Sequence, residues 1–372
     1  MKTLTKAPRA SHLLGAVLAS SVLAGAAAAQ SLSDVKPPRE PLILREQGSF
    51  FVGGRQTQSD ATGWDQIGFG FGSGDVTIDQ MYVQFQIPFT FGLGSRVPVV
   101  FVHGCCLTSK TWETTPDGRM GWYEYFTRRG FPTYLAEQSG RARSGFNGTI
   151  YNEVRQGLQP PDAQPPVLIA TYQFAWSVFR FGPTYGAVWP DEQFPMDKVD
   201  ELFKQVIPDL ILTEVPDLSA EFANPTTNNP TVVNMAALAR SLGGAVLVGH
   251  SQSSGFPTQA ALKDPTGVRG IIQLETGCFD NLTPDQIAVL AKIPILIVVG
   301  DHFTTPQPTA ACQTELKQVN AAGGDMTFIA LPTLGLKGNS HMFMQDRNNL
   351  QVADVIQYWI SQHVERRYRG GS

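Results

Sequence analysis

The sequence is poor in charged residues and has no run of basic residues. Only 16% of its 372 residues are Asp, Glu, Lys or Arg, whereas 42% are hydrophobic. The formal net charge is −4, from 28 basic and 32 acidic residues. This balance excludes a protein that binds nucleic acids or anionic surfaces, because such proteins need clustered positive charge. The apolar content predicts a folded chain with a sizeable core.

Long hydrophobic runs are missing after residue 30. No stretch of 18 apolar residues occurs there, so we expect the mature chain not to span a membrane. The first 29 residues differ, because Lys2, Lys6 and Arg9 precede an apolar stretch from Leu13 to Ala24 and then three alanines. This pattern is typical of a cleavable export signal. We therefore predict a mature chain of residues 30–372, a single domain that is secreted or periplasmic.

Cysteine is scarce, and its spacing does not suggest a metal site. The four cysteines are Cys105, Cys106, Cys278 and Cys312, with no CxxC pair and no cluster of His and Cys. We therefore expect neither a zinc site nor another metal. In an exported protein four cysteines form disulfides, and three pairings are open. Adjacent cysteines usually bond to distant partners, because a ring between neighbours is strained.

From residue 97 onward, apolar runs alternate with segments that have helical character. Val97–Val102 is a continuous apolar run, as expected for a strand buried on both faces. Further strands are predicted at Phe131–Ala136, Ala245–Val248, Val268–Leu274, Ile293–Val299 and Met326–Leu331. Helices are predicted at Tyr123–Arg129, Val232–Leu242, Thr258–Lys263, Pro284–Ala291, Ala311–Ala321 and Asn348–His363. This alternation predicts an α/β fold with a mostly parallel central sheet flanked by helices.

Two segments interrupt the alternation. Residues 40–96 are rich in glycine and show period-two stretches, so we expect antiparallel strands flanking the main sheet. Residues 145–230 are rich in proline and aromatic residues and follow the fourth strand. Their aromatic content favours a cap insertion over a pocket, and a long structural loop is the alternative.

The sharpest chemical motif follows the strand that begins at Ala245. The strand runs directly into Gly249-His-Ser-Gln-Ser253, which resembles the G-x-S-x-G turn between a strand and a helix. That turn pushes the hydroxyl of its central serine clear of the sheet, and Ser251 is therefore the predicted nucleophile. Ser253 replaces the second glycine and is small enough to keep the turn feasible.

A serine nucleophile needs a base, and the histidines can be sorted by position. His341 follows the last strand and precedes a helix, where the base of this arrangement is expected. The other five are less suitable: His12 lies in the signal, His103 in a predicted oxyanion loop, His250 on a turn pointing away, His302 too early and His363 in a solvated helix.

Two carboxylates are candidates for the acid that orients the histidine, and one pair of backbone N–H groups is predicted to bind the oxyanion. Asp301 follows one strand, near the commonest position for the acid, and Glu275 ends the preceding strand. His103-Gly104 follows an apolar strand and typically opens an oxyanion loop. The predicted donors are the backbone N–H groups of Cys105 and Gln252.

Several motifs together resemble a small group of secreted bacterial α/β-hydrolase esterases. They are His103-Gly-Cys-Cys-Leu-Thr, Thr111-Trp-Glu-Thr-Thr-Pro-Asp-Gly-Arg-Met-Gly-Trp122, Glu124-Tyr-Phe126, Gln138-Ser-Gly-Arg-Ala-Arg-Ser144 and Gly249-His-Ser-Gln-Ser253. The resemblance covers most of the chain from about residue 40 to residue 364, and its motifs are specific. The cap residues match least clearly.

This resemblance implies an α/β-hydrolase fold and a triad of Ser251, His341 and Glu275. It also implies a vicinal disulfide between Cys105 and Cys106 in the oxyanion loop, and a second bridge between Cys278 and Cys312. We therefore expect an exported serine esterase that acts on a small ester without a cofactor, and a homodimer is left open. The alternatives are the same triad acting on a lactone, an amide or a C–C bond beside a carbonyl, and a non-catalytic binding protein.

Overall fold

The computed structural model describes residues 32–369, apart from positions 71, 91–95, 216, 218–219, 221–222, 226–227 and 276. The predicted export signal, residues 1–29, lies outside the described residues. No helix in the described part of the chain is both long and apolar enough to cross a bilayer.

Eight strands within the described residues form one sheet, in the order β1-β2-β4-β3-β5-β6-β7-β8. Their bounds are β1 Leu44–Ser59, β2 Gly74–Pro88, β3 Val99–Val102, β4 Thr133–Ala136, β5 Ala245–His250, β6 Val268–Leu274, β7 Ile295–Val299 and β8 Met326–Ala330. β3 to β8 are parallel, and β2 joins β4 in antiparallel pairing. The expected α/β fold with a mostly parallel sheet is confirmed.

Outside the insertion between β4 and β5, the α-helices that follow β3 alternate with strands as predicted. They are Trp122–Arg128, Pro230–Ser241, Phe256–Lys263, Pro284–Leu290, Ala310–Ala321, Asn349–Trp359 and Arg366–Arg369, with a π-helix at Ile360–Glu365. Three strands start two residues later than predicted, after Pro98, after Pro132 and after Pro294. Proline has no N–H to donate to a neighbouring strand, so it sits at or before the first residue of a strand.

The two faces of the sheet bury separate apolar clusters. Side chains alternate along β3, where Val99 and Phe101 pack into one cluster and Val100 and Val102 into the other. All four are fully buried. The continuous apolar run in the sequence is therefore explained by helices covering both faces.

The insertion between β4 and β5 contains short helices. Their bounds are Thr149–Gln156, Tyr172–Val178, Val199–Phe203 and Ile211–Glu214. Trp176, Phe179, Phe181 and Phe194 from this insertion are buried and belong to one of the two main apolar clusters. The insertion is therefore packed onto the body of the protein through aromatic side chains.

Candidate active site

Ser251 lies at the sharp turn that joins β5 to the following helix. β5 ends at His250, a 3-10 turn spans Ser251–Ser253, and an α-helix begins at Phe256. The φ angle of Ser251 is +57°, in the left-handed region that residues other than glycine rarely adopt. A serine held in such a strained turn projects its hydroxyl from the edge of the sheet.

Glycine at two positions makes room for this turn. A Cβ atom on Gly249 would lie 2.0 Å from the carbonyl oxygen of Ser253, so a side chain does not fit there. A Cβ atom on Gly104 would lie 2.9 Å from Cβ of Ser251. The loop after β3 therefore approaches the candidate nucleophile closely because it carries glycine at this point.

Ser253 occupies the position where the G-x-S-x-G motif has its second glycine. Its buried hydroxyl accepts a hydrogen bond from the His250 N–H at 3.0 Å and donates to the Val102 carbonyl at 3.1 Å. The sequence indicated only that a serine is small enough for the turn. The structure adds a reason for serine, because the hydroxyl connects the ends of β5 and β3.

His341 and Glu275 are brought together beside the serine turn. His341 Nδ1 lies 3.0 Å from Glu275 Oε2, and Glu275 Oε1 accepts the Gly300 N–H at 2.7 Å. No hydrogen-bond partner within the described residues contacts His341 Nε2. His250 holds the backbone of His341, because its Nε2 donates to the His341 carbonyl at 2.9 Å. This arrangement leaves Nε2 available to accept a proton.

The electrostatics of this pair favour a neutral histidine beside an ionised carboxylate. Burial lowers the pKa of His341, and the Glu275 carboxylate opposes that effect. Burial raises the pKa of Glu275, but the Arg180 guanidinium, His341 and the Gly300 N–H outweigh it and lower that pKa to about 2. At neutral pH the imidazole is therefore a free base and Glu275 is an anion.

Asp301, the other candidate acid, contacts the loop that carries His341 instead of the imidazole. Its Oδ1 accepts the His302 N–H at 2.8 Å, and its Oδ2 accepts the Gly338 N–H at 3.0 Å. No hydrogen bond or ion pair joins Asp301 to His341 among the described residues. The geometry therefore favours Glu275 as the acid, as the resemblance implied.

The remaining histidines lie in structural contacts. His103 is buried 3.1 Å from Glu137, and its Nδ1 donates to the Gly104 carbonyl. His302 stacks on Trp189, with ring centres 4.6 Å apart. His363 was expected to be solvated, but it is partly buried and lies 3.0 Å from Asp325. That expectation was wrong because the terminal helix packs this side chain against its neighbours.

The two cysteine amides in the loop after β3 differ in their hydrogen bonds. The Cys106 N–H donates to Asp209 Oδ2 at 3.0 Å, whereas the Cys105 N–H has no acceptor among the described residues. Asp209 is fully buried and is paired with Arg141 at 2.7 Å. Arg141 also donates to Oε1 of Gln252, the residue after the candidate nucleophile, at 2.6 Å. One buried ion pair therefore contacts both segments that carry the predicted oxyanion donors.

The cysteines agree only in part with the pairing that the resemblance implies. Cys278 and Cys312 form a disulfide with a Cα–Cα distance of 5.0 Å. Cys105 and Cys106 are free thiols, and their sulfur atoms lie 2.7 Å apart. The vicinal bridge that the resemblance implies therefore stays a prediction. Closing it requires an S–S distance of about 2.05 Å within a strained ring.

Arg180 is a site residue that the sequence reasoning missed. It lies in the insertion, one-tenth exposed, and its Nη2 forms an ion pair with Glu275 Oε2 at 2.7 Å. The available signal was a lone arginine between two aromatic residues, Phe179 and Phe181. Such an arginine is buried only with a partner, and the sequence does not reveal that partner.

A cavity of about 320 Å³ opens beside Ser251. Its walls include Phe256 and Phe279, the backbone of two glycines, and Cys278 of the disulfide. This volume and lining are typical of a pocket that holds part of a small organic molecule.

The chain is similar to known ester hydrolases in both sequence and structure. It is 44% identical to a solved bacterial esterase, with a TM-score of 0.79, over 88% of this chain and 99% of that one. It is 26% identical to a probable secreted lipase, phiG, from Fungal sp. (strain ATCC 74256), over 71% of this chain and 81% of that protein. No family model matches. The chain belongs to the family of that bacterial esterase, has the α/β-hydrolase fold, and is a carboxylic ester hydrolase.

Proposed function

We propose that this enzyme cleaves esters through an acyl-enzyme formed on Ser251. Three groups carry the proposal: a serine in a strained turn, an imidazole whose Nε2 has no partner among the described residues, and a buried carboxylate on Nδ1 of that imidazole. In this arrangement His341 is the base, and Glu275 fixes its tautomer with the proton on Nδ1.

The reaction has two steps. In the first, Ser251 Oγ attacks the ester carbonyl carbon while its proton passes to His341 Nε2. The oxyanion accepts hydrogen bonds from the N–H groups of Cys105 and Gln252, and His341 then protonates the departing alcohol. In the second, water attacks the acyl carbon and loses its proton to His341. The bond between Ser251 Oγ and the acyl carbon then breaks, Oγ takes that proton from His341, and the carboxylic acid leaves.

The test is substitution and labelling of Ser251. Ser251→Ala should lower kcat by about 10⁴-fold or more and abolish labelling by a fluorophosphonate, because the acyl group then has no attachment point. Ser241→Ala, a change at an exposed helix end, is the control and should keep wild-type activity. Retention of a tenth of the activity in Ser251→Ala would refute the assignment.

We further propose that the enzyme is exported. Three observations support this: the signal-like first 29 residues, the Cys278–Cys312 disulfide, and the relative described as a probable secreted lipase. The mass of the protein recovered from outside the cytoplasm tests the proposal. We expect a chain that begins at Gln30, and a chain of full length there would contradict the cleavage.

A further inference from the structure

Arg180 contacts the candidate acid from the insertion. Its Nη2 lies 2.7 Å from Glu275 Oε2, the same oxygen that faces the histidine, and its Nε donates to the Asp301 carbonyl at 2.6 Å. Its Nη1 lies 3.5 Å from His341 Nδ1. One guanidinium therefore touches both partners of the Glu–His pair and the strand end beside them.

The guanidinium is held firmly in this place. It lies over the ring of Phe303, with 3.9 Å between its central carbon and the ring centre. The φ angle of Arg180 is +59°, an unfavourable value for arginine. Strain of this kind persists only where surrounding contacts enforce it, and here those contacts include the ion pair with Glu275.

We propose that Arg180 is a positioning residue that keeps Glu275 ionised and keeps His341 neutral until the reaction protonates it. The inference rests on the proposed triad. An isolated buried carboxylate is costly, so a fixed positive partner stabilises the anion that orients the imidazole. The same charge opposes protonation of the imidazole, so the imidazolium gives its proton readily to the departing alcohol.

The charged groups around His341 determine how strongly Arg180 opposes protonation of the imidazole. In the resting state the negative charge of Glu275 and the positive charge of Arg180 cancel. When His341 takes the proton from serine, these three side chains together carry one positive charge. The other titratable groups nearby include His250, with a ring centre 4.7 Å from that of His341, and the carboxyl groups of Asp301 and Asp346. Glu192 interacts electrostatically with Arg180, and burial raises the pKa of Glu192 to about 9. Burial lowers the pKa of His250 to about 3, so it stays neutral in the assay range. Burial raises the pKa of Asp346 to about 6, so the pKa of His341 must be measured directly.

The experiment compares Arg180→Met, Arg180→Lys and a control, Arg155→Met. Arg155 lies exposed on a helix of the same insertion and donates to Gln66. Steady-state kinetics on p-nitrophenyl butyrate give kcat and KM. The pKa of His341 is read by NMR of ¹⁵N-histidine-labelled protein, with the resonance assigned from a His341→Asn variant.

For Arg180→Met we expect kcat to fall 10- to 100-fold, KM to change less than threefold, and the pKa of His341 to rise by about one unit. Arg180→Lys keeps a positive charge but not the paired contacts, so kcat should fall less and the pKa should stay near its wild-type value. Arg155→Met should match the wild type. An unchanged His341 pKa or an unchanged kcat in folded Arg180→Met overturns the proposal.

Thermal melting and a Glu275→Gln variant distinguish a folding defect from a failure of the triad. Melting shows whether Arg180→Met is folded. If it is not, a His341 pKa in Arg180→Lys that differs from the wild-type value overturns the proposal, because the positive charge is kept there. Glu275→Gln is measured beside the arginine variants. If Glu275→Gln keeps wild-type kcat, the proposed triad fails; if it loses activity while Arg180→Met does not, only the role of Arg180 fails.

Discussion

Glu275→Gln is the change that tests the active site most directly. Both carboxylate oxygens act as acceptors, Oε1 for the Gly300 N–H and Oε2 for the His341 Nδ1–H. Glutamine has one oxygen, so its amide NH₂ must face a donor in either orientation. If it faces His341, the imidazole proton moves to Nε2, the atom that must accept the serine proton.

The magnitude follows from the loss of the correct tautomer. In a well-studied serine protease the equivalent change costs about 10⁴ in kcat, or roughly 5.5 kcal/mol of transition-state stabilisation. The retained Arg180 guanidinium increases the penalty, because it would lie beside an imidazole with no neighbouring anion. We expect kcat to fall by at least 100-fold with little change in KM, because neither group binds the substrate in its ground state.

Steady-state kinetics on p-nitrophenyl butyrate measure the effect, with thermal melting to show that the variant is folded. The matched control is Asp301→Asn, which removes a carboxylate one strand away. The Asp301 carboxylate accepts two backbone N–H groups, so its loss should cost less than tenfold, mainly through stability. A larger loss for Asp301→Asn than for Glu275→Gln would show that Asp301 orients the histidine.

Three other predictions concern the pH dependence, the long-range disulfide and the adjacent cysteines. Because the neutral imidazole is the active form and burial lowers the pKa of His341, the acidic limb of kcat/KM against pH should lie below 6.5; a midpoint above 7 would contradict this. Replacing Cys278 and Cys312 by serine should lower the free energy of unfolding by roughly 3–4 kcal/mol, since the bridge spans 34 residues; an unchanged denaturation midpoint would count against it. Peptide mapping of oxidised protein without reductant should find Cys105 bonded to Cys106, and a fragment joining either to Cys278 or Cys312 would refute that pairing.

Much of the sheet can be predicted from the sequence because its strands are buried on both faces. The segments at Val99–Val102 and Ile295–Val299 are wholly apolar and cannot be read as exposed structure. Strand starts were misplaced at Pro98, Pro132 and Pro294, where hydrophobicity continues but proline lacks the donor that pairing needs.

The site residues differ in the same way, because some depend on neighbouring residues and others depend on contacts between distant segments. Ser251 can be found from the sequence because its turn is made by neighbouring residues alone. The choice between Glu275 and Asp301 depends on which carboxylate reaches a histidine that lies 66 residues after the first and 40 after the second. Neither composition nor spacing contains that distance. The position along the fold slightly favoured Asp301, whereas the resemblance and the longer reach of a glutamate side chain favoured Glu275.

Residues that act across the fold were not visible in the sequence. Asp209 and Arg141 lie 68 positions apart and form a buried pair. Asp346 is likewise buried and accepts hydrogen bonds from Ser340, which fixes the loop that carries His341. Single polar residues of this kind read as surface positions until the packing of distant segments is known.

The packing of the insertion restricts how this enzyme can be engineered. Phe179 accepts the His341 N–H through its carbonyl at 2.9 Å and stacks its ring on the imidazole, and Arg180 is the next residue. A chimaera that takes the insertion from a relative to change substrate preference would therefore also replace part of the proton-transfer apparatus. Such a graft should join the donor sequence on either side of residues 179–181 and keep those three residues from the recipient.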